Sequence, residues 1–419
     1  LKKMKMIKKT TKTSFLDLHV HIGRDGEDKA VKITASPQLT LPNILRECLE
    51  RKGLDIVGIV DCGTYGVLQD LKKLLAAGEL IELDKGGWRY QEKLTLFAGA
   101  ELETVEPNGG RAHCLCYFPS LARLEDFAGF IWQKVKNNRL SSQVCYLSAL
   151  QLFTEVKKRE GLFIPAHIFT PYKSIYGNCA SNLVALFGEA AEEITAVELG
   201  LSADQQMALQ IPELEQRLFL ANSDAHSLDK IGREYNEVMM ETPCFEDLVS
   251  LLTGRRGKII ANYGLDPQLG KYHRSYCNKC KQSMLEIPPV FFCPSCGEKD
   301  DFVVGVLDKI RSIAELQQGK GKHSKRQAND GVSWQDKAPQ GKYCYQIPLN
   351  FIPGLGQKTK EKLLKRFGTE MNILHKAAEK EIREIAGEKL AALIIKGRRG
   401  ELKMTPGAGG IYGKIEDSL

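Results

Sequence analysis

The feature that most constrains this chain is a recurrence: short apolar runs that end, time after time, in histidine or carboxylate. The run Ser14–His21 closes on Asp17-Leu18-His19-Val20-His21, IVGIV on Asp61, LFAGA on Glu101, FIPA on His167 and TAV on Glu198. RLFLAN leads into Ser223-Asp224-Ala225-His226, and His113 follows the turn GGRA. Alternate side chains of a strand share a face, so both imidazoles of an HxH can reach one point. Each residue alone reads as a rim group bonded to a neighbouring loop. Their repetition argues for a shared purpose.

Between the strand candidates Ser14–His21, Asp55–Asp61, Leu94–Glu101, Leu162–His167, Ala196–Leu199 and Leu218–Ser223 lie segments of helical or part-helical spacing. These are Asn43–Lys52, Gly66–Ala77, Leu124–Asn137, Leu147–Arg159 and Pro212–Arg217. Such alternation over Ser14 to about Asn262 predicts an α/β domain with a parallel sheet, either a barrel or a doubly wound sheet. In barrels, catalytic groups collect on the rim at the C-terminal strand ends.

Imidazole and carboxylate together suit zinc or manganese, and carboxylates bridge closely spaced ions. The cluster therefore reads as a polynuclear hydrolytic site, with His19, His21, Asp61, Glu101, His113, His167, Asp224 and His226 as its residues. Of these, Asp224, Glu101 and His226 are the candidate catalytic groups.

Four of the 12 cysteines form a second motif: Cys277-Asn-Lys-Cys280, twelve residues, then Cys293-Pro-Ser-Cys296-Gly. Two such knuckles give tetrahedral thiolate coordination, so one structural zinc with no open position is expected. The other eight cysteines read as reduced core thiols. The basic opening LKKMKMIKKTTKTS lacks the apolar segment and cleavage site of a signal peptide. No stretch approaches the roughly 20 apolar residues that span a bilayer. A cytosolic protein without a membrane partner is the expectation; the initial Leu leaves the translation start open.

The net charge of +7 is uneven, residues 271–419 holding 27 Lys and Arg against 17 Asp and Glu. A basic rear behind a mildly acidic front fits a catalytic body joined to a polyanion-binding tail. In that rear, Phe351-Ile-Pro353-Gly354-Leu355-Gly356 precedes the amphipathic QKTKEKLLKRF. The pattern resembles a helix-hairpin-helix, whose glycines bring backbone N–H groups to a phosphate at a helix N-terminus. Gly354, Leu355, Gly356, Lys358 and Lys360 are its candidate DNA contacts. A degenerate second hairpin is expected around Ala386-Gly387-Glu388. The chain thus divides into an α/β domain carrying the metal cluster (1–265), a zinc ribbon (266–310), a linker poor in apolar residues (311–345) and a helical DNA-holding domain (346–419).

The motifs DLHVHIG, IVD, GAELE, RAHCL, IPAH and NSDAH, in that order, resemble those of the polymerase-and-histidinol-phosphatase (PHP) family. The resemblance implies a distorted (β/α)7 barrel with two or three catalytic divalent metals (Zn, Mn or Mg). It implies that His19 and His21 are first-motif ligands, that Glu101 bridges metals and that His113 and His167 complete a second site. Asp224 and His226 close the remaining positions. Two departures, Cys62 and Glu27 where family members often carry histidine, put a third metal in question. With the ribbon and the helix-hairpin-helix added, the chain resembles the endonuclease Q family. That resemblance implies a DNA repair endonuclease cutting 5′ to deaminated bases (hypoxanthine, uracil, xanthine) and abasic sites, leaving 3′-hydroxyl and 5′-phosphate ends. Tyr172, Lys173 and Tyr176 are then candidates for a lesion pocket. A sliding-clamp partner is compatible with such a role, although the chain shows no motif for one. The competing readings are a PHP-type 3′–5′ exonuclease and a non-catalytic DNA-binding protein.

Overall fold

The computed structural model describes residues 13–320 and 341–416. The basic opening and most of the expected linker lie outside these residues. Eleven strands build the first domain: β1 Thr13–Val20, β2 Ile56–Ile59, β3 Leu80–Glu82, β4 Trp88–Tyr90, β5 Leu94–Val105, β6 Arg111–Tyr117, β7 Leu162–Pro165, β8 Ala196–Glu198, β9 Leu218–Leu220, β10 Tyr235–Met239 and β11 Lys258–Gly264. The result is a PHP-like α/β fold. Its central strands read as continuous apolar runs because both faces are covered. Val57, Ile59, Leu96 and Ala98 enter one core, and Leu16, Ile56 and Phe97 enter another. Each buried aliphatic or aromatic side chain of this kind contributes about 1.5–3 kcal/mol.

The sheet is mixed, which corrects the expectation of a parallel one. β1, β2 and β5 are parallel neighbours, whereas β10 joins β1 antiparallel, β11 joins β10 antiparallel and β6 folds back on β5. The β5–β6 connection shows why: only Glu106–Gly110 separates them, with Gly109 at φ 82°, and a parallel return needs a crossover of a dozen or more residues. The sequence reading missed β3, β4, β6, β10 and β11.

The register positions the site. Leu16 lies opposite Ile56, and Ile56 opposite Thr95, so β1, β2 and β5 end at one rim. Beyond β1 the chain meets the Asp224 segment: the Ala225 N–H donates to the His19 carbonyl (3.0 Å) and the His21 N–H to that of Ala225 (3.1 Å).

Three short strands, β12 Tyr276–Cys277, β13 Gln282–Ser283 and β14 Phe302–Val303, form the ribbon around its own small core. The linker expectation fails at both ends. Residues 311–320 continue the helix Val306–Lys320, since Ile310, Ile313 and Ala314 are buried at helical spacing. At the other end β15 Lys342–Tyr345 joins the main sheet, parallel to β11. Four helices follow, Gln357–Phe367, Glu370–His375, Glu379–Ala386 and Glu388–Arg399, around a third core of Ile347, Leu363, Ile382 and Leu393. Gly387, with φ 82°, makes the turn between the last two, at the place where a second hairpin was expected. A final hairpin, β16 Met404–Thr405 and β17 Lys414–Ile415, ends the described chain. Among the described residues, no helix is long and apolar enough to cross a membrane.

Candidate metal centre

Three groups of ligand atoms converge at the rim: His19, His21 and Glu101; His21, Asp224 and His226; Glu101, His113 and His167. The Nε2 atoms of His19 and His21 lie 3.5 and 3.3 Å from Asp224 Oδ1, and each lies 3.5 Å from a Glu101 oxygen. His113 Nδ1 stands 2.7 Å from Glu101 Oε1, with His167 Nε2 3.8 Å from the same oxygen. The Nε2 atoms of His19 and His21 are buried without a hydrogen-bond partner, and the lone pair of such an orphaned nitrogen is what a cation would engage. The site fits divalent cations.

Each first-motif histidine is held from behind. Glu198 Oε2 lies 2.9 Å from His19 Nδ1 and also accepts from the Asn222 amide (3.0 Å). Asp61 reaches His21 Nδ1 (3.1 Å) and accepts the Ile22 N–H (2.6 Å). This corrects the expectation that Asp61 is a ligand: both its oxygens are engaged behind the ring, so it acts through His21. Because Asp61 takes Nδ1, His21 has one lone pair to offer, so the two groups sharing it could serve only one ion through that ring. Glu101 is common to the His19–His21 group and to the group with His113 and His167. Cys62 is buried outside all three groups, and Glu27 is exposed and paired with Arg139 at 3.1 Å. Neither departure from the PHP pattern supplies a further ligand.

Electrostatics agree with ligand roles. Burial alone would raise the pKa of Glu101, but His113, Lys32 and His21 outweigh it and hold the carboxyl well below its usual range. Asp224 is lowered likewise, burial being outweighed by His19, His21 and His226. Burial pushes His226 down to about 4 against the opposing pull of Asp224, so its ring is neutral near pH 7. Asp224 and His167 have φ of 44° and 29°, rare for non-glycine residues, and such strain concentrates at functional sites.

Several residues here escaped the sequence reading. Lys32 Nζ donates to Glu101 Oε2 (2.8 Å) and also contacts Ser142 Oγ; no motif announces it. Glu103 receives Lys173 Nζ (2.8 Å) and Arg111 (2.8 Å) and lies near His113. Burial raises its pKa, but these partners hold it at about 2. Its spacing of two from Glu101, on the same strand face, was a usable signal. Tyr172 and Lys173 line the cavity above the cluster, as do Lys271, Tyr272 and Tyr412. Tyr176 does not. Its ring is buried and its hydroxyl donates to Glu213 (2.9 Å), which corrects its place in a lesion pocket.

In the ribbon, Cys277 and Cys296 Sγ are 3.8 Å apart, as are those of Cys280 and Cys293. Zn–S bonds of about 2.3 Å at tetrahedral angles require a sulfur spacing of about 3.8 Å. In the C-terminal domain, Gly354, Gly356 and Lys358 are exposed and Leu355 is half-buried. Lys360 is buried, 2.9 Å from Glu370 and 3.7 Å from Asp229. Its charge is spent inside the protein, so it is corrected as a DNA contact.

Fold and cluster together define a protein of the PHP type, an α/β scaffold around converging groups of metal-ligand side chains. The PHP-associated family (PHP_C) matches residues 206–256. The uncharacterized protein YqxK of Bacillus subtilis is 43% identical over 408 residues, covering 97% of this chain and all of that protein. The uncharacterized protein MJ0043 of Methanocaldococcus jannaschii is 36% identical over 267 residues, 59% of this chain and 31% of that protein. The solved lesion-specific endonuclease PfuEndoQ of Pyrococcus furiosus superimposes with a TM-score of 0.77 at 26% identity, over 97% of this chain and 95% of its own. A structure of endonuclease Q with a 27-mer duplex bearing an abasic lesion at the active site matches with a TM-score of 0.77 at 27% identity, over 97% and 96%. This chain belongs to the endonuclease Q family.

Proposed function

We propose that this protein is a metal-dependent DNA repair endonuclease that hydrolyses the phosphodiester 5′ to deaminated bases and abasic sites, leaving 3′-hydroxyl and 5′-phosphate ends. The observation that carries the reading is the Glu101-centred cluster, in a chain that matches endonuclease Q along nearly its whole length.

His19, His21, Glu101 and Asp224 would hold one divalent ion, and Glu101, His113 and His167 a second, with His226 beside Asp224. Ions bound there supply the Lewis acidity that neutralises a phosphodiester and acidifies water. The protein's own groups do the rest. Glu198 and Asp61 orient the two imidazoles, and Lys32 balances the charge of Glu101. Lys173, steadied by Glu103, faces the cavity where a phosphate would sit. The four cysteines hold one structural zinc. Gly354, Leu355, Gly356 and Lys358 grip the DNA backbone without reading sequence.

The test is a labelled duplex carrying one deoxyinosine, deoxyuridine or abasic site, incubated with Mn²⁺, Mg²⁺ or Zn²⁺. The expected result is a single nick immediately 5′ to the lesion, abolished in Asp224→Ala while DNA binding persists. End-dependent degradation that ignores the lesion would establish the 3′–5′ exonuclease instead.

A further inference from the structure

Acting on a lesion inside a duplex leaves a physical debt: a base turned into a pocket leaves a gap in the stack, and proteins that unstack DNA fill such gaps with apolar side chains. A gap-filling residue has to be apolar, exposed without DNA, and rigidly placed beside the pocket.

The final hairpin meets all three conditions. Its Tyr412 lines the cavity above the metal ligands, under the ammonium of Lys271, which lies 5.8 Å from its ring. Next to it Ile411 is 67% exposed, an unfavourable position for an aliphatic side chain with nothing to cover it. The backbone that displays them is pinned: the N–H groups of Gly407, Gly410 and Gly413 donate to the carbonyls of Gln268, Lys271 and Leu269 at 2.7–3.0 Å. Glycine is required for that fit, since a Cβ on Gly409 would come within 2.7 Å of the Tyr276 ring and one on Gly413 within 2.5 Å of Thr405 O. Lys414 is exposed on the same hairpin and the Lys271 ammonium lies over the Tyr412 ring, cations suited to the phosphates flanking the gap.

We infer that Ile411 enters the base stack of duplex DNA in the place vacated by the extruded nucleotide, while Tyr412 gives that nucleotide an aromatic wall. The inference rests on the lesion-endonuclease reading above. Ile33, 77% exposed between the cavity-lining Lys32 and Thr34, is the competing candidate. Its chain neighbours, Lys32 and Thr34, offer no aromatic ring on which the turned-out base could rest.

A gap exists only in a duplex, and this separates wedge from pocket. The same deoxyuridine is presented in a duplex and in a single strand to the full chain, Ile411→Ala and Ile33→Ala, and single-turnover cutting is measured. A 2-aminopurine beside the lesion reports on stacking. Ile411→Ala is expected to lose about tenfold or more on the duplex relative to the single strand, and to lose the 2-aminopurine signal change on binding. Equal losses on both substrates, no loss, or a duplex-selective loss in Ile33→Ala alone would overturn the inference. If the full chain cuts neither substrate, the lesion-endonuclease reading itself falls, an outcome the variants cannot mimic.

Discussion

Glu198 holds His19 by its far side: the carboxylate sits 2.9 Å from Nδ1, turning Nε2 toward Glu101 and Asp224. An imidazole fixed in this tautomer is a ready ligand, and a carboxylate behind it raises its basicity. Glu198→Ala should therefore weaken divalent-metal affinity by about 10–100-fold. Chelator competition followed by elemental analysis checks this. Unchanged affinity would remove Glu198 from the site.

Glu370 is buried between two ammonium groups, Lys52 at 3.0 Å and Lys360 at 2.9 Å, and so ties the C-terminal helices to the first domain. Removing the acid strands two buried cations. Glu370→Ala should lower stability by about 3–5 kcal/mol in urea unfolding.

Lys358 and Lys360 stand two residues apart with opposite expected behaviour. Lys358→Ala should reduce the slope of log affinity against log salt on undamaged duplex by about one unit. Lys360→Ala should leave that slope unchanged, because its ammonium already faces Glu370.

The four sulfurs of the ribbon are spaced to share one zinc, so Cys296→Ser should release about one zinc per chain. Hydrogen exchange should then lose protection over residues 271–306, while β1–β11 keep theirs. Loss of protection throughout would make this zinc a support for the whole molecule.

Glu234 is fully buried, and burial raises its carboxyl to about 8 from 4.5, against the lowering pull of the Leu265 N–H and of Arg233. The native state thus holds this proton more tightly than the unfolded chain. Its stabilising share is full below about pH 4.5 and is lost as pH rises through about 8. Glu234→Gln keeps an acceptor for Leu265 but cannot ionise. Its melting temperature should gain on that of the unsubstituted protein with rising pH, and the gap should close below pH 4.5. A gap independent of pH would show that Glu234 does not titrate with unfolding.

The ligand set was legible because strand ends leave a local mark: an apolar run, then an imidazole or an acid. The same logic found β1, β2, β5 and β7 but not β6, whose Arg111-Ala-His-Cys-Leu-Cys-Tyr117 mixes polar and apolar residues and is buried through pairing on both edges with β5 and β7. Ligand and supporter look alike in sequence. Asp61 ends its run as Glu101 does, and only the fold sets one behind the His21 ring and the other among the converging ligand atoms. Lys360 looked like a phosphate contact because its sequence neighbours are basic; the acid that captures it comes ten residues later, on another helix. Tyr272, Lys271 and Tyr412 carry no spacing signal at all, since segments far apart in sequence bring them together.

That last convergence has a consequence for how the molecule can be taken apart. After the ribbon the chain returns to the first domain, adding β15 to the edge of β11, and after its helices it returns again to set Tyr412 over the candidate metal ligands. The C-terminal third is thus woven into the body rather than appended to it. A shortened chain ending before β15 would expose a raw sheet edge and open one side of the cleft. Its inactivity would then say nothing about whether the missing helices touch DNA, and point substitutions rather than deletions are the way to apportion the work.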